Sequence, residues 1–155
     1  DLVLPVTSAQ IRKRDGEPSF MSVVVPGTDL EDAIRDRKNG DLVLRKGVKL
    51  ADGGRNLDTL FRAHFDTEPR VDQGARKGSI TLDGHRTESF DGAMEVELSA
   101  PTTRTVSQEG LRYRCGVQTW IEPGDIVSVG GDQFTVGVIT YYIRIGHEFM
   151  EIQEA

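Results

Sequence analysis

The chain has 155 residues, 37% of them hydrophobic and 28% charged, with a formal net charge of −6 at pH 7. A chain of this length buries a core without metal or disulfide staples, so we expect one domain. The acidic balance argues against nucleic acid as the main partner, because phosphate recognition needs clustered cations. No apolar run approaches the roughly 18 residues that a membrane helix needs.

Short runs of alternating polar and apolar residues, punctuated by Gly and Pro, predict β-strands over most of the chain. Gly137 lies inside the longest of these runs, where we expect a β-bulge. The segments Asp72–Gly78 and Ser107–Gly110 are expected to be hairpin tips. The predicted strands are Ser19–Pro26, Asp41–Leu50, Leu60–Val71, Gly78–Thr87, Ala93–Ser99, Leu111–Ile121, Asp125–Val129, Gln133–Ile145 and Gly146–Ile152.

One α-helix is predicted at about residues 29–39. Thr28 and Glu31 have the spacing of a capping box, in which each side chain satisfies a free backbone N–H. Acidic residues then crowd the N-terminal turn and basic residues the C-terminal turn, which suits the helix dipole. Gly40 is expected to end the helix in a left-handed conformation.

These elements predict a mainly β fold, a barrel or sandwich of antiparallel strands with long hairpins and one short α-helix. We expect a single β-rich domain over residues 1–155, with a weak boundary near residues 99–103 that would divide it into two lobes.

Motifs for metal, phosphate or nucleophilic chemistry are missing from the sequence. The segment His147–Glu151 has Glu where the zinc motif H-E-x-x-H requires its second His, and His64 and His85 are isolated in sequence. Cys115, the one cysteine, excludes an intramolecular disulfide and is expected to be a small buried residue. We therefore expect no cofactor, no metal and no enzymatic activity.

The segment Asp83–His85, "DGH", is the most enzyme-like cluster in the chain. Ile80 and Leu82 alternate with polar residues before it, which indicates a half-buried strand. Gly84 is expected to bulge or bend that strand near its end. His85 is therefore interpreted as a packing or interface residue.

Three segments together resemble structural proteins from the tails of long-tailed bacteriophages and prophages. They are Gly16–Gly27, Gly78–Thr87 and Glu122–Ile152, and they cover strand and turn patterns rather than a catalytic signature. The resemblance implies a virion tail component at the tail tip or baseplate hub. It also implies that the chain is in the host cytoplasm before assembly. In the assembled particle it would form a ring with other copies of itself and with neighbouring tail proteins.

Clusters of cations are the expected interface of such a subunit, because they could pair with acidic strand faces of a neighbour. The expected interface residues are Arg35, Arg37, Lys38, Arg76, Lys77, His85 and Arg86.

Two other functions stay open from the sequence. One is a β-sandwich binding module that recognises a cell-surface glycan through Trp120 and nearby tyrosines such as Tyr141 and Tyr142. The other is a cell-wall hydrolase that uses His85 with Asp83 or Glu88.

Overall fold

A computed structural model describes residues 1–74, 77–90 and 92–155, with Lys49 described by its backbone alone. The fold is mainly β, with 58% of residues in strands and 3% in helix, which confirms the predicted class. The described strands form one large sheet that is not closed into a barrel. No helix among the described residues is long and apolar enough to cross a membrane.

The described residues contain twelve strands and one helix. The strands are β1 (Ser8–Arg14), β2 (Ser19–Pro26), β3 (Gly40–Lys49), β4 (Arg55–Phe65), β5 (Arg70–Asp72), β6 (Ser79–Arg86), β7 (Glu95–Glu97), β8 (Pro101–Ser107), β9 (Gly110–Cys115), β10 (Ile126–Val129), β11 (Asp132–Arg144) and β12 (His147–Glu154), and the helix is α1 (Glu31–Arg35).

The main sheet has the strand order β3-β4-β6-β2-β1-β11-β12-β9-β8. Off this path, β5 pairs with β6 and β10 with β11, and β7 adds to β10 as a parallel strand. Neighbours along the main path are antiparallel.

The sheet curls so that the side chains on its inner face, which come from alternate residues of each strand, form one core. Buried residues near both ends of the strand order, such as Leu44 on β3 and Tyr113 on β9, belong to a single cluster. The ammonium of Lys13 on β1 lies 6.0 Å from the Phe61 ring centre on β4 and 5.8 Å from that of Tyr141 on β11. Strands that are well separated in the sheet order therefore approach each other across the inner face.

The helix is shorter than predicted. It spans Glu31–Arg35, begins after Leu30, and has no side-chain capping bond, so the expected capping box of Thr28 and Glu31 is wrong. The chain leaves the helix through turns, and Asn39 rather than Gly40 takes the left-handed conformation, with φ 71°. The Asn39 N–H donates to the Phe65 carbonyl at 2.6 Å, so pairing with β4 takes over where the helix was expected to continue.

The predicted strand Leu60–Val71 is two strands with different partners. β4 pairs with β3 along its length and has a single ladder pair with β6, His64 with His85, whereas β5 pairs with β6 throughout. Pro69 precedes β5 and has no N–H to donate, so it cannot continue a ladder. The hairpin around Asp72–Gly78 therefore joins the short β5 to β6.

Two glycines were expected to mark bulges, and one of them does. The ladder between β11 and β12 shifts register between Val136 and Val138, which confirms the bulge at Gly137. Gly84 pairs regularly with Met21, so the bulge expected there is wrong. A Cβ on Gly84 would lie 2.7 Å from the Ala63 Cβ, so the glycine permits close approach of β4.

Candidate functional site

The outer half of the β3–β4 hairpin, residues 45–59, is here called the arm. Its described side chains are all exposed, whereas β3 and β4 alternate into the core nearer the body. Three of the exposed side chains are large and apolar, with Val48 60%, Leu50 47% and Leu57 43% exposed. A two-stranded hairpin with both faces in water is marginal by itself. The arm thus presents apolar surface that the described chain does not cover.

The shape of the arm is set by its backbone. The β3–β4 register shifts between Leu44 and Arg45, where the arm begins, so the hairpin bends there. A Cβ on Gly47 would lie 1.7 Å from the Asn56 carbonyl oxygen, so only glycine fits this crossing of the two strands. Lys46 forms an ion pair with Glu148 of β12, which joins the arm to the central sheet.

The tip of the arm is a well-formed turn. The Leu50 N–H donates to the Gly54 carbonyl at 2.8 Å, and the Asp52 carboxylate accepts the Gly54 N–H at 2.8 Å. Gly53 has a φ of 84°, which favours glycine. These local hydrogen bonds hold the tip as a hairpin turn, although no core packs against it.

A second open surface is the edge strand β8. It pairs with β9, and the side chains of Pro101–Ser107 are all exposed, with Val106 64% exposed. An unpaired strand edge is a template for strand addition by another chain. Arg104 fixes this edge to the body, because its guanidinium donates to Asp132 on β11 at 2.7 Å.

The Asp132 carboxylate is the centre of a small network. It accepts hydrogen bonds from Arg104 and from the Tyr113 hydroxyl, the second at 2.5 Å. The bond from Arg104 and then that from Tyr113 lower the pKa of Asp132, while the bond to Asp132 raises the pKa of Tyr113. The network links β8, β9 and β11.

The basic end of the helix, predicted as an interface, is already paired within the chain. Arg35 bonds Glu68 at 2.5 Å and Glu31 at 2.9 Å, and Lys38 bonds the same Glu68 at 2.5 Å. The bond from Lys38 is the largest cause that lowers the pKa of Glu68. Arg37 donates to the Ala33 carbonyl at 2.8 Å. Arg35 and Lys38 thus bridge the helix to the β4–β5 connection.

The other predicted interface cations belong to other elements of the fold. Lys77 is exposed in the β5–β6 turn, and Arg76 lies outside the described residues. Arg86 ends β6 and pairs with Glu88 at 2.9 Å, where the Glu88 side chain is largely buried.

His85 lies on the outer face of the sheet beside a histidine that the sequence did not connect to it. His64 of β4 is its cross-strand partner, with ring centres 6.0 Å apart. Nδ1 of His85 lies 3.6 Å from a carboxylate oxygen of Asp66. Asp83, the first residue of "DGH", pairs with Arg70 at 2.8 Å. Only strand pairing reveals this grouping, because His64 and His85 are far apart in the chain.

The surroundings of His85 form a shallow depression of about 340 Å³ that Arg62 and Asp41 also line. Within residues 1–74, 77–90 and 92–155, no three His, Cys, Asp or Glu residues are grouped so that they could hold a metal ion. The hydrolase hypothesis pairs His85 with Asp83 or Glu88, but Asp83 is bonded to Arg70 and Glu88 to Arg86.

Cys115 is buried at 1% exposure, as predicted. Burial raises the pKa of its thiol to about 11, so the thiol stays protonated at neutral pH.

The aromatic residues proposed for glycan binding separate into three environments. Tyr141 is in the core, and burial raises the pKa of its hydroxyl. Trp120 is 59% exposed in the segment between β9 and β10. Tyr142 lies on the outer face and stacks on Phe149 of β12.

Two comparisons with known proteins were made. No protein-family model matches the chain, and no curated protein matches it significantly.

Proposed function

We propose that the chain is a structural subunit of a phage tail tip or baseplate, which assembles through protein–protein contacts into a ring or hub. The single observation that carries the proposal is the arm. Its strands extend beyond the core, and Val48, Leu50 and Leu57 expose apolar surface. The phage origin rests on the strand and turn patterns that resemble tail proteins, and the assembly role rests on the arm.

The physical argument is that the arm loses apolar exposure when a neighbour covers it. Burial of apolar surface stabilises association by about 25 cal/mol per Å² before the entropic costs of binding are subtracted. The arm also carries more cations than anions, with Arg45, Lys46, Lys49 and Arg55 against Asp52 and Asp58. Its partner would therefore present apolar residues with an acidic rim.

The open edge of β8 supports the same role from the other end of the sheet. A neighbour that adds a strand there would satisfy backbone groups that β9 leaves free. If one copy uses its arm and the next a different surface with apolar residues and an acidic rim, the contact is head-to-tail, which closes into a ring when the rotation allows. In this role the partners are copies of the chain and neighbouring tail proteins, the location is the virion tail, and no cofactor is needed.

Sedimentation of the pure chain over a wide concentration range, and copurification with the products of adjacent tail genes, test the proposal. We expect the chain to associate with itself or with at least one of those tail proteins. The double variant Val48→Ser with Leu57→Ser should weaken it, while Val3→Ser with Met94→Ser, two exposed apolar residues off the arm, should not. A chain that stays monomeric with every tail neighbour, or that associates equally well in both variants, would contradict the proposal.

A further inference from the structure

Three side chains on the outer face form a stacked row across three strands. The rings of Tyr142 on β11 and Phe149 on β12 are 4.7 Å apart and inclined by 23°. The guanidinium of Arg114 on β9 lies 4.4 Å from the centre of the Phe149 ring. Glu151 holds Arg114 in place with a 2.7 Å ion pair. Each member of the row contacts the next, so Phe149 supports one face of the Tyr142 ring.

Tyr142 and Phe149 both line a depression of about 340 Å³ that extends over β1 and β2. Across the β1–β11 ladder, Tyr142 is paired with Gln10, and Gln10 is paired in turn with Ser22 on β2. The space beside the aromatic ring is therefore lined by polar side chains together with the apolar Val24, Ile143 and Phe149. The lining includes Ser8, Gln10, Ser22, Tyr142, Arg144 and His147.

We propose that this depression binds a pyranose ring of a neutral carbohydrate, stacked on the free side of Tyr142. A pyranose presents an apolar face of C–H groups, which suits an immobilised aromatic ring. Its hydroxyls both donate and accept hydrogen bonds, as do the Gln10 amide and the serine hydroxyls. An apolar wall with a few convergent polar groups is the usual composition of a small-molecule site.

Three of the polar groups suit a sugar better than a phosphate-bearing ligand, whereas Arg144 suits either. The hydroxyls of Ser8 and Ser22 and the Gln10 amide can donate to and accept from a sugar, whereas phosphate oxygens mainly accept. The two serines have short side chains, which leaves room over the strands for a ring. Arg144 and His147, at the end of the β11–β12 hairpin, lie at one side of the depression and can bond outlying hydroxyls.

The glycan site expected from the sequence combined Trp120 with Tyr141 and Tyr142, and of these three only Tyr142 lines the depression. Trp120 is exposed between β9 and β10 and does not line the depression. The proposal is independent of the assembly role, because neither the arm nor the edge of β8 contributes to the depression. A binding subunit and a structural subunit can be the same chain.

Titration of the ¹⁵N-labelled chain with cellobiose and with N,N′-diacetylchitobiose tests the proposal. Saturable NMR shifts are expected in Gln10, Ser22 and Tyr142. Tyr142→Ala should weaken binding by about twofold to thirteenfold, since an aromatic stack contributes about 0.5–1.5 kcal/mol. Tyr142→Phe should retain it, and Trp120→Ala is the matched control that should leave it unchanged.

A second variant keeps the proposal testable if Tyr142→Ala fails to fold. Ser22→Trp fills the depression from β2 and leaves the Arg114–Phe149–Tyr142 row intact, and it should abolish binding while the thermal unfolding midpoint is kept. The proposal is overturned if neither disaccharide binds, if binding is lost in Trp120→Ala, or if Tyr142→Phe loses as much as Tyr142→Ala. Adenosine monophosphate serves as a competing probe, and shifts with it alone would also overturn the proposal.

Discussion

The β11–β12 hairpin and the arm are both long antiparallel pairs, yet they are stabilised in different ways. Alternate residues of β11 and β12 point to the inner face and are buried there, and Ile139, Met150 and Ile152 are fully buried. Along the arm, the described side chains are exposed on both faces. The same local geometry therefore serves as core in one region and as projecting surface in the other. Backbone pairing makes a hairpin, but burial decides whether it contributes to the stability of the chain.

The largest test of this comparison is a pair of truncations. Ile152→Ala removes a fully buried side chain and should lower the free energy of unfolding by about 2–5 kcal/mol. Leu57→Ala in the arm should change it by no more than about 0.5 kcal/mol. Urea unfolding of both variants measures the difference. Equal losses would mean that the arm is packed as tightly as the central sheet.

A smaller effect is expected at Gly84, where β6 and β4 approach closely. In Gly84→Ala the new Cβ would lie 2.7 Å from Ala63 and 3.2 Å from the His64 carbonyl oxygen. Such overpacking should cost about 1–3 kcal/mol. Gly116→Ala is the matched control, because a Cβ there has no atom within 4 Å, and its unfolding free energy should stay within about 1 kcal/mol of the wild type. Calorimetry that shows no difference between the two would contradict this account.

Gly84 also shows which parts of the fold the sequence could predict. The alternation of Ile80 and Leu82 is local, so β6 was predicted from its own residues. The role of Gly84 depends on Ala63, which only strand pairing brings near, and the sequence therefore suggested a bulge instead. Gly137 was assigned correctly, because a glycine inside a long alternating run is itself the sign of a bulge.

The same limit applies to the helix and to the sites. The capping pattern at Thr28 and Glu31 is a local signal, but pairing of Asn39 with Phe65 overrode the predicted helix length. The charges of Arg35 and Lys38 marked them as exposed cations, yet their partner Glu68 is 33 and 30 residues away along the chain. The arm was predicted as strand only up to Leu50, and residues 55–59 of β4 were not predicted. Its exposure was not predicted either, because period-2 alternation does not show where a core ends.

The edge at β8 offers a test that depends on pH. Bonds from Arg104 and Tyr113 hold the pKa of Asp132 below its ordinary value. A carboxylate with a depressed folded pKa contributes stability above its unfolded pKa of about 3.9, and that contribution is lost as the pH falls through the folded value. Asp132→Asn should therefore reduce stability at pH 7 and narrow the difference between pH 7 and pH 3.

Thermal unfolding at the two pH values measures this effect. Asp58→Asn, which changes an exposed carboxylate of the arm, is the control and should leave the pH dependence as in the wild type. An unchanged pH dependence in Asp132→Asn would show that the network does not anchor the edge.

The smallest global effect is expected where the arm meets the central sheet. The ion pair of Lys46 with Glu148 joins partly exposed side chains, and such pairs contribute about 0–1 kcal/mol. Lys46→Ala should therefore leave the unfolding midpoint nearly unchanged, yet hydrogen exchange in residues 45–59 should become faster while residues 132–144 keep their rate. Arg62→Ala is the control, because its ion pair with Asp41 lies in the same hairpin nearer the body. Faster exchange of the arm in Lys46→Ala alone would show that the pair holds the arm in one orientation before a partner arrives, whereas equal exchange in both variants would mean that the hairpin holds its own position.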